Sequence, residues 1–486
     1  MTMTFKKHDA APKRKRDEDG AGKAAKVANT APTASTAAGV AWRAEHSITI
    51  RGPTANYACP DPILEFDDTP FTTEIKDCFK RAGYTSPTPT QAQSWPIALT
   101  KQDMISVAKT GSGKTVGFLL PSFYHISKNT KPTRDPRILV LAPTRELATQ
   151  IEAEAKKFSR AKPFVRTACI YGGAPKYMQI RQLEIGVDCL VATPGRLNDL
   201  LTMKKVNLRS VEILVLDEAD RMLDMGFEPQ IRSIVAEIPA QRQTLLFSAT
   251  WPKAIQKLAR EFLTNPVQVE MGDINVLQAN KDIVQNVIMC DESDKHIKFA
   301  ELVDKVVKME DPTNTDLTKH VKTIVFFRTK RTCDHFANEY WADGFAVGAL
   351  HGDKEQHERT LTMNQFKMGT INLLFATDVA ARGLDVKDVG VVINYDMPNG
   401  QNGIEDYVHR IGRTGRAGAK GQSFSLFTKS DAGCAKELVE ILTEAQQEVP
   451  QELVEMKGKR SGGKGGNFFR RGGGGGRGGR GGGRRY

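Results

Sequence analysis

The segment AKTGSGKT contains residue types that bind the phosphates of a nucleotide. Gly111 and Gly113 let the backbone curl so that several N–H groups face one anion, because glycine tolerates positive φ. Lys114 can reach the β- and γ-phosphates, and the Thr115 hydroxyl can bind Mg²⁺. The phosphate-loop pattern is kept except that Ala108 replaces its first glycine. The predicted nucleotide contacts are Ala108, Lys109, Thr110, Gly111, Ser112, Gly113, Lys114 and Thr115.

A second segment, VLDEAD, places carboxylates directly after the apolar run VEILVL. Acidic side chains at the end of a buried strand are costly unless a positive charge lies opposite them. A metal ion together with Lys114 would supply that charge. We therefore predict that Asp217 holds Mg²⁺ with Thr115, and that Glu218 orients and deprotonates an attacking water. Without the phosphate loop upstream, the same carboxylates could instead cap a helix.

The elements that must position these residues are apolar strands followed by amphipathic helices. The runs DMISVA, RILVLAP, TACIYGG, DCLVATP, EILVLDEAD and TLLFSAT share this pattern, which restarts later with TIVFF, VGALHG, NLLFAT and VGVVINYD. The alternation predicts an α/β fold of two tandem parallel-sheet domains with a cleft between them. The predicted boundaries are 1–45 for a disordered basic tail, 46–270 for the first domain, 271–281 for a linker, 282–445 for the second domain and 446–486 for a disordered tail.

The composition of the chain limits the kinds of partner that it can bind. The chain has 486 residues, of which 40% are hydrophobic, and a net charge of +12. That charge lies mainly in the tails: residues 456–486 contain ten Lys and Arg and no acid, whereas the middle of the chain is nearly neutral. No apolar run approaches the roughly 20 residues of a membrane span, and the seven scattered cysteines form no CxxC pair. We therefore expect a polyanionic partner, no membrane and no zinc.

The motifs between about 45 and 445 resemble, in order, those of the DEAD-box ATP-dependent RNA helicases. GYTSPTPTQ, with Phe66 upstream, is similar to the family's adenine-reading Q motif, here spanning 64–92. The resemblance implies two RecA-like domains, ATP and Mg²⁺, with Gln91 bonding adenine and Phe66 stacking on it. It also implies catalytic roles for Lys114, Asp217 and Glu218.

Other motifs resemble the family's RNA-backbone contacts, namely PTRELA, GG and TPGR in the first domain and TDVAARGLD in the second. Exposed N–H groups, hydroxyls and arginines at strand ends suit phosphate and sugar contacts. The implied RNA-binding residues are Pro143, Thr144, Arg145, Gly172, Gly173, Thr193, Pro194, Gly195, Arg196, Thr377 and Arg382.

The resemblance also assigns residues that couple hydrolysis to strand separation. SAT matches the coupling motif, with Ser248 expected to bond toward Asp220, and QHER and HRIGRTGRAG match signatures of the second domain. Asp385 is expected to meet the ATP ribose, and Arg413 and Arg416 the γ-phosphate. The implied coupling residues are Asp220, Ser248, Thr250 and His409. The basic segment 409–418 could instead be a general polyanion-binding surface.

DRMLDMGFEPQIR and SATWPK resemble segments of the nuclear subgroup of this family, many members of which carry RGG tails like the one at 471–485. In RGGGGGRGGRGGGRR, arginines can stack on bases or bond phosphates. A solubilising role is the alternative. PKRKRDEDG could be a nuclear import signal or a solvated charge run. We expect nuclear or nucleolar localisation and a role in RNA processing such as ribosome biogenesis, with cytoplasm as the alternative.

The resulting hypothesis is an RNA-dependent ATPase that unwinds short RNA duplexes and remodels ribonucleoprotein components. RNA would be bound through its backbone and 2′-OH groups, hence with little sequence preference. The alternative is an ATP-gated RNA clamp or scaffold with little unwinding. A DNA translocase is disfavoured by the DEAD and Q motifs.

Deleting residues 456–486 should weaken RNA binding and flatten its salt dependence, because ten positive charges are lost. If half of them contact phosphate, the slope of log K against log salt should fall by roughly 3 to 5. Binding titrations across salt concentrations measure this slope. ATPase activity at saturating RNA should survive, and an unchanged slope would show that the tail does not touch RNA.

Overall fold

The computed structural model describes residues 35–456, except 110, 128–132, 162–163, 273–281, 310, 312, 314–315, 318, 379–385, 387, 401–402 and 416–418. In this described part of the chain the strands form two sheets, one of eight strands and one of six. The predicted α/β class with two parallel-sheet domains is confirmed.

The first domain surrounds the eight-stranded sheet. Its strands are Ile48–Arg51 (β1), Met104–Val107 (β2), Ile138–Leu141 (β3), Thr167–Ile170 (β4), Cys189–Ala192 (β5), Ile213–Leu216 (β6), Gln243–Ser248 (β7) and Val267–Met271 (β8). Its helices are Ala37–Glu45 (α1), Thr73–Arg81 (α2), Pro89–Ala98 (α3), Lys114–Ser127 (α4), Arg145–Ser159 (α5), Lys176–Ile185 (α6), Pro194–Thr202 (α7), Ala219–Asp224 (α8), Glu228–Ala236 (α9) and Lys253–Phe262 (α10). The strand order is β1-β8-β2-β7-β6-β3-β5-β4, and only β1 pairs antiparallel.

The second domain surrounds the six-stranded sheet. Its strands are Ile283–Met289 (β9), Thr323–Phe326 (β10), Val347–Leu350 (β11), Leu373–Ala376 (β12), Val391–Asn394 (β13) and Gly421–Phe427 (β14). Its described helices are Lys295–Val307 (α11), Lys330–Ala342 (α12), Gln356–Met368 (α13), Gly403–Ile411 (α14), Ala435–Glu444 (α15) and Gln451–Met456 (α16). The order is β11-β12-β10-β13-β14-β9, all parallel. None of the described helices is both long and apolar enough to cross a bilayer.

Continuous apolar strands explain this architecture. β3 and β6 both have the sequence ILVL and are buried along their whole length. Alternate residues of β3 enter separate cores: Ile138 and Val140 on one face of the sheet, Leu139 and Leu141 on the other. A strand covered on both faces needs helices on both sides, which the parallel βα connections supply. The polar motif segments therefore all follow their strands at one edge of the sheet.

The predicted disordered tail 1–45 is wrong at its end, because the structure has α1 there. Thr36 caps the helix, its side chain accepting a hydrogen bond from the Gly39 N–H. Trp42 packs against the first-domain core, and Arg43 is buried. The segment is short and Ala-rich, so its sequence shows no amphipathic period. Packing against the folded domain stabilises it.

The predicted tail 446–486 is wrong at its start for a similar reason. α16 packs against α15, and Leu453 is fully buried in a cluster with Ile283 of β9 and Leu442. The side chain of Gln447 accepts a hydrogen bond from the Gln285 N–H, which belongs to an edge strand. Residues 446–456 therefore complete the second domain. The predicted linker 271–281 begins within β8 and otherwise lies almost wholly outside the described residues.

Leu453→Ala should destabilise the second domain by about 2–5 kcal/mol, because it leaves a cavity in a packed cluster. Val454→Ala is the matched control, since the Val454 side chain is 46% exposed. Thermal or denaturant unfolding measures the difference. Equal stability of the two variants would show that α16 is not docked in solution.

Candidate functional site

The phosphate loop lies between β2 and α4, in the strand–loop–helix context that the sequence predicts. Gly111 and Gly113 have φ values of 77° and 89°, which other residues rarely adopt. Lys114, the first residue of α4, is buried, and its Nζ donates to the Ala108 carbonyl at 2.8 Å. Thr110 lies outside the described residues.

The remaining loop side chains differ in exposure. Lys109 is exposed, whereas Thr115 is half-buried at the start of α4. The buried Ser112 hydroxyl has no hydrogen-bond partner within the described part of the chain. A buried orphan hydroxyl is uncommon in folded proteins and suggests a missing polar partner. The loop thus has the glycines, lysine and hydroxyls that phosphate and its metal ion require.

Gln91 joins the Q motif to the phosphate loop. Its Oε1 accepts from the Thr88 N–H at 3.1 Å, and its Nε2 donates to the Gly113 carbonyl at 3.2 Å. The Thr88 hydroxyl donates to the Ser112 carbonyl at 2.8 Å. Both ends of the amide predicted to read adenine are thus already bonded to protein. Each end keeps one further position for a hydrogen bond.

Phe66 is half-buried and stacks on Phe79, with ring centroids 4.0 Å apart and an interplanar angle of 12°. One face of the predicted adenine-stacking ring is therefore occupied. Only the remaining exposed surface of the ring could contact a base. The role of Phe66 stays a prediction.

Asp217 follows β6 and is only 3% exposed. Burial raises its pKa to about 7, while the nearby Lys114 ammonium opposes this rise and Glu218 adds to it. The Glu218 N–H donates to Asp217 Oδ1 at 3.0 Å. Glu218 has a φ of 50°, a strained value for a side-chain-bearing residue that is typical of functional sites. A cation beside Asp217 would relieve the buried charge.

Asp220 ties α8 to the segment after β7. Its Oδ2 accepts from the N–H groups of Ala249 and Thr250 and from the Thr250 hydroxyl, at 3.1, 2.9 and 2.9 Å. Ser248 bonds to Asp220 as the sequence predicts, through its Oγ, which accepts the Asp220 backbone N–H at 3.4 Å. Thr250, rather than Ser248, therefore holds the carboxylate.

Two of the predicted RNA-binding segments meet at Arg145. Pro143 and Thr144 follow β3, and the Thr144 hydroxyl caps α5 by accepting the Leu147 N–H. The Arg145 guanidinium lies so close to Gly173 that a Cβ there would approach its Nη1 to 2.1 Å. Gly172 is half-buried beside it. Gly173 thus makes room for the arginine, whereas a Cβ on Gly172 would lie 4.0 Å from its Nη2, an ordinary contact distance.

The third predicted RNA-binding segment lies at the start of α7, where Thr193, Pro194 and Gly195 precede Arg196. It is buried, and its guanidinium donates to the Ala174 carbonyl at 3.1 Å and to Gln179 Oε1 at 2.9 Å. Arg196 therefore shapes the loop after Gly173 and does not present its charge to solvent. Its direct contact with RNA stays a prediction.

In the second domain Thr377 follows β12 and is half-buried. The next residue, Asp378, accepts two hydrogen bonds from Arg410, both at 2.6 Å. His409 and Arg413 are buried, and Arg413 Nε donates to the His409 carbonyl at 3.1 Å. Three predicted site residues, Arg382, Asp385 and Arg416, lie outside the described residues.

The two domains contact each other through these motif segments. Arg145 donates to Gln356 Oε1 at 2.5 Å, and Arg359 pairs with Glu146 at 2.6 Å. Arg221, directly after the DEAD segment, pairs with Asp406 of α14. Because Arg221 is buried, this ion pair is shielded from water.

Sequence reasoning missed several of these residues. Gln356 and Arg359 belong to the QHER signature, but no role was assigned to them. Arg221 and Asp406 are separated by 185 positions, and no periodicity links them. The sequence does contain a chemical indication of both residues, because each is a charged residue next to a family motif. Neighbouring Glu405 has its pKa raised to about 7 by burial and by Asp224.

Comparison with known proteins identifies the family. The DEAD/DEAH box helicase model matches residues 88–258, and the helicase conserved C-terminal domain model matches residues 300–418. DEAD-box ATP-dependent RNA helicase 40 of Oryza sativa subsp. japonica is 50% identical over 88% of this chain and 51% of its own length. ATP-dependent RNA helicase DBP2 of Eremothecium gossypii is 48% identical over 85% of this chain and 71% of its own length. The chain belongs to the DEAD-box family.

A structural comparison agrees with this DEAD-box assignment. Dbp5 of S. cerevisiae, bound to RNA and ADP BeF3, matches with a TM-score of 0.67 and 27% identity, covering 81% of this chain and 99% of that one. The chain spans about half to two thirds of the length of the first curated relatives it matches.

Gly113→Ala should weaken nucleotide binding and destabilise the first domain, because its Cβ would lie 2.6 Å from Gln91 Nε2 and its φ is 89°. We expect a cost of about 1–3 kcal/mol from the backbone strain alone. Binding of a fluorescent ATP analogue and thermal unfolding measure both effects. Gly117→Ala is the matched control: among the described residues no atom beyond the backbone of α4 lies within 4 Å of its added Cβ, and α4 should gain stability.

Proposed function

We propose that this chain is an RNA-dependent ATPase that separates short RNA duplexes by closing and opening its two domains. The observation that carries this proposal is the direct contact between the motif loops of the first domain and the second domain, through Arg145, Glu146 and Arg221. Separating the domains would break these contacts and free the same loops. The likeness to Dbp5, solved with RNA and ADP BeF3, supports this proposal.

Hydrolysis in this proposal uses side chains from both domains. Lys114 would exchange its bond to the Ala108 carbonyl for bonds to the phosphates, and Glu218 would accept the proton of the attacking water. Arg413, and Arg416 beyond the described residues, would bring positive charge from the second domain to the γ-phosphate. The second domain would thus complete a site that the first domain only begins.

Thr115 and Asp217 fit a magnesium site. Asp217 is a buried carboxylate beside Lys114, and the buried Ser112 hydroxyl of the phosphate loop has no hydrogen-bond partner among the described residues. Hydroxyl and carboxylate oxygens are the ligands that Mg²⁺ prefers. When bound, the ion would neutralise phosphate charge.

RNA recognition in this proposal rests on the loops after β3, β4 and β5. Backbone N–H groups and hydroxyls there suit phosphates and 2′-OH groups, so recognition should tolerate any sequence. Ribonucleoprotein components as partners, and the nucleus as location, are further parts of the proposal, and they are supported by the basic tails alone.

Glu218→Gln should keep ATP affinity within a few-fold but lower RNA-stimulated hydrolysis by roughly 10²-fold or more, because shape is preserved and the base is lost. It should also hold RNA longer than the wild type in ATP. Single-turnover hydrolysis and RNA dissociation followed by fluorescence anisotropy test these outcomes. Glu184→Gln, the same change at an exposed position of α6, is the control.

Strand displacement by the same variants separates unwinding from clamping. A helicase should displace a short RNA strand as wild type and fail as Glu218→Gln. A clamp would bind RNA in an ATP-dependent manner and displace little in either form. Wild-type hydrolysis by Glu218→Gln would overturn the assignment of the base.

A further inference from the structure

Helix α1 lies upstream of both family matches and is fastened to the segment 59–61. Thr36 N–H donates to Asp61 Oδ1 at 3.1 Å, and the Ser35 hydroxyl donates to the Cys59 carbonyl at 2.7 Å. α1 lies so close to this segment that a Cβ on Gly39 would be 2.0 Å from Asp61 Oδ1. α1 and this segment therefore form one packed unit.

Arg43 of α1 is buried at the centre of that unit, with 7% of its surface exposed. Its Nη1 donates to Gln93 Oε1 at 3.1 Å and to the Pro60 carbonyl at 3.5 Å. Gln93 is also buried, and its Nε2 donates to the same Pro60 carbonyl at 3.2 Å. These partners are neutral, although a buried guanidinium is costly without a carboxylate. An apolar side chain would fill this space at lower cost, so the charge calls for a functional explanation.

Gln93 connects Arg43 to the nucleotide site. It lies on α3, two residues after Gln91, which binds the phosphate loop at Gly113. Between them, Ala92 accepts the Ile63 N–H at 2.9 Å and so ties the chain leading to Phe66 onto the same helix. Arg43 thus bridges the two elements that carry the predicted adenine contacts.

We propose that Arg43 is a positioning residue for adenine recognition, holding α3 and the segment 59–66 at a fixed spacing. This inference rests on the proposed function. Removing Arg43 should loosen the placement of Gln91 and Phe66 around the base. The phosphate loop is bonded to Gln91 at Gly113, but β2 and α4 hold its two ends, so it should keep its geometry.

Arg43→Met tests this in the full chain, by comparing RNA-stimulated hydrolysis of ATP and GTP. We expect KM for ATP to rise roughly tenfold, as for loss of a hydrogen bond to a charged group. We expect kcat and KM for GTP to change by less than about twofold, since the phosphate contacts remain. Arg43→Lys should recover most of the selectivity. A merely structural role would affect ATP and GTP alike.

Two further variants keep the test decisive. Arg51→Met is the control: Arg51 is the last residue of the neighbouring β1, its side chain is 61% exposed, and it pairs with Glu270 of β8, away from α3. This change should leave selectivity unchanged. If Arg43→Met does not fold, the double variant Arg43→Met/Gln93→Met replaces the whole polar pair by apolar side chains and should fold. It should still lose selectivity. A wild-type ATP/GTP ratio in either folded variant overturns this inference alone, whereas absence of ATP hydrolysis by the wild type overturns the proposed function.

Discussion

Buried negative charge at the end of β6 is the constraint on which the rest of the structure depends. Asp217 and Asp220 are both almost fully buried there. In the strand order β2-β7-β6, the loops that follow β2 and β7 lie close to this acidic segment and offset the cost of burying it. The loop after β2 contributes the charge of Lys114, and the loop after β7 contributes three hydrogen bonds to Asp220. The acidic segment is thus stabilised by the phosphate-loop lysine and by Thr250.

The second domain extends the same electrostatic arrangement. Arg221 lies near Glu218 and Asp220 and is paired with Asp406 across the cleft. Breaking a buried ion pair leaves an uncompensated charge, which costs far more than losing an exposed pair. Separation of the domains would therefore let water reach Arg221 and alter the electrostatic field around Asp217 and Glu218, the carboxylates predicted to take part in hydrolysis. Domain position and site chemistry are linked by this physical route.

The sequence predicted the loops of the site well because continuous apolar strands fix which residues lie at the carboxyl edge of a parallel sheet. It could not predict contacts between side chains far apart in the chain, such as Arg359 with Glu146. Nor could it predict that hydrogen bonds to Ala174 and Gln179 hold the Arg196 guanidinium inside the first domain. α1 and α16 were missed because short segments show no period, and only docking onto a finished domain stabilises them.

Gln91 connects the part of the proposed ATP site that would bind the base to the part that would bind the phosphates. Its amide is bonded to Thr88 on one side and to Gly113 on the other, so it links the start of α3 to the phosphate loop. The arginine proposed to meet the γ-phosphate, Arg413, belongs to the other domain. Under the proposed function, affinity for the nucleotide is then largely set by residues of the first domain. Hydrolysis also requires the second domain to bring Arg413 to the γ-phosphate. A site divided in this way binds before it reacts, which is what a cycle of RNA gripping and release requires.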